Sequence, residues 1–158
     1  MLLSALIFLP VLFALVIASL PKDTWIRPVA ILFSVVEFAV SLLLFTRFDK
    51  ASAALQLVEK HNWLPDLGIQ YFVGIDGISL WLVMLTTLLL PIIILGSWTA
   101  IDKKVKGFHV SMFLLTSAMI GSFLAMDLIL FYIFFELSLV PMYFMIGIWG
   151  GSRRIYAT

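Results

Sequence analysis

The sequence predicts an all-α membrane protein with about five transmembrane helices. Three observations carry that expectation. Hydrophobic residues make up 63% of the 158 positions and the mean hydropathy is +1.16, whereas soluble domains are nearer half apolar. Charged residues are only 12% of the chain and cluster between long apolar runs. The period-two alternation of an outer-membrane barrel is absent.

Residues 2–20 form the first apolar run, with Pro10 as a possible kink. The run lacks a basic leader and exceeds a typical signal-peptide core, so it reads as a retained helix. A short basic link, 21–27, leads to a second span at 29–46 with Glu37 near its middle. The long segment 47–75 holds Asp49, Lys50, Glu59, Lys60 and Asp66. Within it, 51–58 is compatible with a short interfacial helix, Trp63 suits the headgroup level, and Leu64-Pro-Asp-Leu-Gly68 reads as a turn.

A third span, 78–100, contains Pro91 and follows Asp76-Gly-Ile-Ser79, where Asp76 or Ser79 suits an N-cap. A basic loop, 102–106, precedes a fourth span at 108–126, with His109 expected as a polar anchor at the interface. Ser117, Gly121 and Ala125 lie four apart, a small-residue seam that lets another backbone approach closely. The fifth span follows Asp127 almost without a loop, so spans four and five should form a tight hairpin ending near Trp149.

The most informative stretch is 127–151. It can cross a bilayer, and Glu136 lies about 13 Å from Asp127 along a helix, near mid-depth of a ~30 Å hydrocarbon core. An acid there costs about 2.5–3.5 kcal/mol on insertion scales, so a partner, water or a proton must compensate. Tyr132 and Tyr143 fall on nearly the same helical side as Glu136. Pro141 points elsewhere; it cannot donate to the Leu137 carbonyl and permits a kink. Glu37 reads equally as a functional acid and as a neutral or hydrogen-bonded packing residue.

Several function classes are excluded as properties of this chain. Without cysteine there is no disulfide, iron–sulfur cluster or c-type haem attachment. His61 and His109 lie outside the span centres, and no phosphate-binding glycine motif is present. A net charge of +1 gives no basis for nucleic-acid binding. Charge also orients the chain. With the N-terminus outside, Lys22, Arg27, Lys103, Lys104, Lys106, Arg153 and Arg154 fall inside, against Arg47, Lys50 and Lys60 outside. The positive-inside rule favours that arrangement and a cytoplasmic C-terminus.

Phe123-Leu-Ala-Met-Asp127, Phe131-Tyr-Ile-Phe-Phe-Glu136-Leu-Ser-Leu-Val-Pro141-Met-Tyr-Phe144 and Ile148-Trp-Gly150 resemble the M subunit of bacterial respiratory complex I, the NADH–quinone oxidoreductase. Phe108-His109, Trp63-Leu-Pro65 and Phe72-Val-Gly-Ile-Asp76-Gly-Ile-Ser79 fit the same family, collinearly along the chain. The resemblance implies the start of an antiporter-like inverted-repeat fold in the bacterial cytoplasmic membrane. It implies a proton-pumping module of the membrane arm, partnered by other membrane-arm subunits, including antiporter-like neighbours, and by lipid. NADH, flavin, iron–sulfur clusters and quinone would belong to the complex as a whole, with no cofactor in this chain.

Glu136 matches the family's acid, which works with a lysine on a later helix, and Pro141 matches the proline after it; Tyr132 and Tyr143 would support them. Glu37 has no counterpart in the family pattern and is a possible further site. The expected division is 1–107, three helices and one long external loop, and 108–158, a hairpin opening the translocating repeat. The family chain is longer, so Thr158 is expected to be a truncation, and no lysine falls inside a predicted span. The alternatives are a subunit of a multi-chain cation–proton antiporter, or a small assembly protein docking through the Ser117/Gly121 seam.

Overall fold

The computed structural model describes residues 1–49, 51–52, 54–151 and 153–154, the Leu67 side chain apart. Lys50 of the expected external loop, Ala53 of the expected interfacial helix, and Ser152 and 155–158 at the C-terminal end lie outside the described residues.

Among the described residues five helices alternate in direction: α1 (Leu2–Ser19), α2 (Ile26–Arg47), α3 (Gly77–Gly96), α4 (Val105–Leu124) and α5 (Leu128–Trp149). All five are long and apolar enough to cross a membrane, as the sequence predicts. A 3₁₀ turn, Asp23–Trp25, leads into α2. Helices α2 and α4 begin three residues before the expected starts, and α3 ends at Gly96 rather than at residue 100. The start of α3 is set by a capping box: the Asp76 carboxylate accepts from the Ile78 and Ser79 amides, while the Ser79 hydroxyl accepts from the Asp76 amide. Asp127 caps α5 in the same way, accepting from the Ile129 and Leu130 amides at 2.9 and 3.1 Å. With only Ala125 to Asp127 between them, α4 and α5 form the expected tight hairpin.

The interfacial helix expected at 51–58 is not formed. Gln56–Leu64 is strand β1, paired antiparallel with β2 (Ile69–Ile75) in the register Glu59 to Val73 and His61 to Tyr71. The physical reason lies in β2. Ile69-Gln-Tyr-Phe-Val-Gly-Ile75 is rich in β-branched and aromatic residues, and its backbone groups need a partner. β1 supplies one edge. The α4–α5 turn covers part of the other, where the Met126 amide donates to the Phe72 carbonyl at 2.8 Å and Val73 bridges Ala125. The predicted turn at 64–68 is present as a 3₁₀ turn, Pro65–Leu67, closed by Gly68 in the left-handed region at φ +68°.

The interior divides along the helix axes. One apolar cluster at the hairpin end joins Leu3, Ile7, Leu44, Val83, Ile120 and Phe134. A second, at the opposite end, joins Phe13, Ala30, Leu90, Ile94 and Phe113. Between them lie Ser34, Glu37, Ser41, Thr87, Thr116 and Ser117, all buried.

Candidate functional site

Helix α5 runs unbroken through Pro141, so the proline removes an amide donor from the Leu137 carbonyl without ending the helix. Three α5 residues are buried: Leu130, Phe134 and Pro141. They form the face turned to α1 and α4, where Pro141 and Leu137 line a cavity of about 220 Å³ with Phe8, Ser117 and Ala118. Glu136 lies on the opposite, exposed face at the middle of the helix. Tyr132 stands beside it one turn earlier; Tyr132 and Tyr143 are 58% and 57% exposed. The structure thus brings Glu136, Tyr132 and Tyr143 to one face and sets Pro141 apart from them, as the helical spacing predicts.

Among the described residues no cation pairs with Glu136. The expectation that no lysine falls inside a span needs amendment, because the earlier start of α4 takes in Lys106. Its ammonium lies in the first turn and donates to the Leu20 carbonyl at 2.6 Å. It therefore ties the α1–α2 link to α4.

Glu37 lies apart from Glu136, on the inner face of α2. It has no exposed surface, and among the described residues neither carboxyl oxygen has a hydrogen-bond partner. The hydrogen bond to a neighbouring helix that the sequence reading allowed is therefore absent. Ser34 and Ser41 flank it roughly one turn away on either side. Ser41 is within 2.7 Å of the Thr87 hydroxyl on α3.

The small-residue seam of α4 is filled from within the chain. The Ser117 hydroxyl donates to the Ile7 carbonyl of α1 at 2.6 Å. A Cβ on Gly121 would fall 2.5 Å from Cγ of Phe134 on α5, so only glycine admits that ring. Ala125 meets β2. His109 is a further correction. With α4 starting at Val105, it sits one turn inside the helix, buried, with Nδ1 2.8 Å from the Val105 carbonyl and its ring edge-on to Phe108. Its ring packs inside the bundle rather than presenting a free polar group at the surface.

Sequence reasoning missed the clasp at the hairpin end. The Glu59 carboxylate on β1 accepts from the Leu3 amide at 3.0 Å and the Ser4 amide at 3.3 Å. It also accepts from the Ser4 hydroxyl and pairs with the Met1 ammonium. A loop carboxylate thereby serves the open amides of the first turn of α1. Burial opposes its charge. Hydrogen bonds from the amino terminus, Ser4 and Leu3, with the ammonium's attraction, outweigh that and hold the carboxyl below its usual 4.5. A lone acid in a loop gives no sequence signal for such long-range capping. At the opposite end Arg27 donates to the Ile101 carbonyl at 2.7 Å, and the Trp149 indole donates to the Lys103 carbonyl at 2.8 Å while its ring meets Phe108 edge-on.

Comparison with known proteins accords with this geometry. The family profile described as "NADH-ubiquinone oxidoreductase chain 4, amino terminus" matches residues 3–127. That described as "NADH:quinone oxidoreductase/Mrp antiporter, TM" matches 125–158, which takes in α5. The chain is 44% identical to NADH-quinone oxidoreductase subunit M of Rhodobacter capsulatus, over 99% of its own length and 31% of the relative's. It is 41% identical to NADH-ubiquinone oxidoreductase chain 4 of Marchantia polymorpha, over 96% of its length and 31% of the relative's. Among solved structures it superimposes on a chain of respiratory complex I from Thermus thermophilus with bound NADH. The TM-score is 0.79 and the identity 27%, over 99% of this chain and 31% of that one. The chain spans about a third of the length of the curated relatives it matches. Since the first profile runs through α1 to α4 and the relatives align collinearly across the whole chain, the chain belongs to the NADH–ubiquinone oxidoreductase chain 4 family.

Proposed function

We propose that this chain is the amino-terminal part of a proton-translocating membrane-arm subunit of respiratory NADH–quinone oxidoreductase, with Glu136 as its coupling carboxyl. The observation that supports it most is the place of Glu136: at the centre of α5, on a face the other described residues leave open, within a collinear family match. An acid at that depth needs a partner. The family resemblance supplies one, a lysine on a later helix. A cation close to the carboxyl favours its ionised form, and withdrawing the cation favours protonation. Each tenfold change in that balance corresponds to about 1.4 kcal/mol, so a modest movement of the lysine loads or releases a proton. Tyr132 and Tyr143 border the same face and would offer hydroxyls to water there, while Pro141 frees the Leu137 carbonyl.

In this reading the chain lies in a bacterial cytoplasmic membrane with the hairpin end outside, in keeping with the excess of lysine and arginine in the loops at the other end. The hairpin of α4 and α5, which takes in most of 108–158, opens the translocating repeat. NADH, flavin, iron–sulfur clusters and quinone would belong to partner subunits. The antiporter-subunit reading shares the profile over 125–158, but the profile over 3–127 is described for chain 4 alone, which favours the oxidoreductase. The docking-protein reading loses its main support, because α1, α5 and β2 occupy the Ser117–Ala125 seam.

The test is Glu136→Gln in membranes carrying the assembled enzyme. The expected result is impaired proton pumping and coupled turnover with assembly intact. Normal pumping by that variant would remove Glu136 from the mechanism.

A further inference from the structure

A buried polar layer crosses the bundle between its two apolar clusters, and Glu37 is its only ionisable member. Four helices contribute to the layer or reach its level. Ser34, Glu37 and Ser41 come from α2, Thr87 from α3, and Thr116 and Ser117 from α4. Interhelix contacts give the register. Phe13 stacks on Phe33 with ring centroids 4.2 Å apart, and Ser41 meets Thr87. In antiparallel pairs, these contacts set Pro10 of α1 and Pro91 of α3 at the depth of Glu37, to within about one residue's ~1.5 Å rise. Each proline removes the amide donor four residues back, leaving the carbonyls of Leu6 and Thr87 without their helical partners. Two interrupted backbone ladders and an unpartnered acid therefore share one level.

The hydroxyls of the layer are engaged. Ser34 donates to Ile31, Thr116 to Met112 and Ser117 to Ile7, while Ser41 and Thr87 hold each other and nearby backbone carbonyls. None reaches the Glu37 carboxyl. Among the described residues no cation compensates it either. Helices α1 and α3 carry no ionisable side chain. On α4 the two, Lys106 and His109, lie in its first turns, bound to the Leu20 and Val105 carbonyls. On α2 the other two, Arg27 and Arg47, stand at the helix ends. A bare carboxylate fully out of water and without a partner is too costly to persist, and such a group takes up a proton instead. A metal ion is a poorer occupant, because hard cations take six or more oxygen ligands and, among the described residues, none of the hydroxyls of the layer bonds to Glu37.

We propose that Glu37 is a second proton-binding site of this protein, separate from Glu136, holding a neutral carboxyl at mid-membrane and exchanging its proton through the Ser41–Thr87 hydroxyl pair. Ser41 lies one turn from Glu37 on the same face, and Pro91 leaves the Thr87 carbonyl, next to that hydroxyl pair, without its helical donor. The site does not rest on the role proposed for Glu136. It would stand if Glu136→Gln pumped normally, and it could fail while Glu136 remained essential.

The experiment is isotope-edited infrared difference spectroscopy on membranes enriched in the protein, wild type against Glu37→Gln, in H2O and D2O. The expected difference is loss of one protonated-carboxyl stretch whose frequency shifts promptly in D2O. The double substitution Ser41→Ala with Thr87→Val should slow that shift at least tenfold without removing the band. A difference confined to ionised-carboxylate stretches would overturn the site. A protonated band that ignores D2O, or one whose exchange the double variant leaves unchanged, would overturn the exchange route. Should Glu37→Gln fail to accumulate, Glu37→Asp keeps a carboxyl and should move the band rather than abolish it; an unmoved band would assign it elsewhere.

Discussion

Replacing Glu59 by glutamine should loosen the hairpin end of the molecule while leaving the opposite end untouched. The carboxylate gathers the Leu3 and Ser4 amides, the Ser4 hydroxyl and the Met1 ammonium. The Met1 side chain is 98% exposed, so water reaches that end of the chain, screens the ion pair and leaves it little weight in the estimate. What remains is the service of a capping group, worth about 0.5–2 kcal/mol. A carboxamide keeps one acceptor oxygen but turns an NH2 group toward donors. A loss of about 1–2 kcal/mol, or roughly 5–30-fold in a local opening equilibrium, is therefore expected. Hydrogen–deuterium exchange with peptide resolution reads it directly: amides of the first turn of α1 and of Gln56–Leu64 should exchange faster by that factor, and those of residues 105–112, at the opposite end, should not. Acidification should do the same to the unaltered protein. Because the folded carboxyl titrates below its usual 4.5, its stabilisation is complete above that value. It is lost as pH falls through the lower folded value. Unchanged exchange at both segments, in the variant and in acid, would refute the clasp.

Three further outcomes follow from the packing. Gly121→Val should destabilise the α4–α5 hairpin by about 1–3 kcal/mol, since any Cβ there meets the buried Phe134 ring; thermal unfolding in detergent checks it, and Phe134→Ala in the same chain should recover part of the loss. Asp127→Ala removes the α5 cap and should cost about 0.5–2 kcal/mol, whereas Asp127→Asn should cost less because asparagine caps as well. Trp149→Phe keeps a ring against Phe108 but loses the indole bond to the Lys103 carbonyl; a loss of about 0.5–1.5 kcal/mol is expected, visible as faster exchange near Lys103.

Hydropathy and helical spacing were sufficient for much of this protein. Five spans, the Asp76 cap, the short α4–α5 connection and the shared face of Tyr132, Glu136 and Tyr143 all follow from neighbours within a turn or two. Such interactions leave a periodic trace in the chain. The tertiary structure alone decided features that join distant residues. It turned Gln56–Leu64 into a strand, because a strand exists only when a partner edge is present to take its hydrogen bonds. It filled the Ser117–Gly121–Ala125 seam with α1, α5 and β2, where the sequence said only that the seam lets another backbone approach closely. It placed Glu59 over the amides of α1, fifty-five residues away in sequence from Ser4, and it carried His109 inside the bundle. For the two mid-membrane acids the difference is sharpest. Each stands mid-span in its own apolar run, and periodicity reads them alike. Packing separates them: α1, α3 and α4 close over Glu37, while no element of the described chain covers Glu136, because burial is set by which helices meet and not by the residues of any one of them.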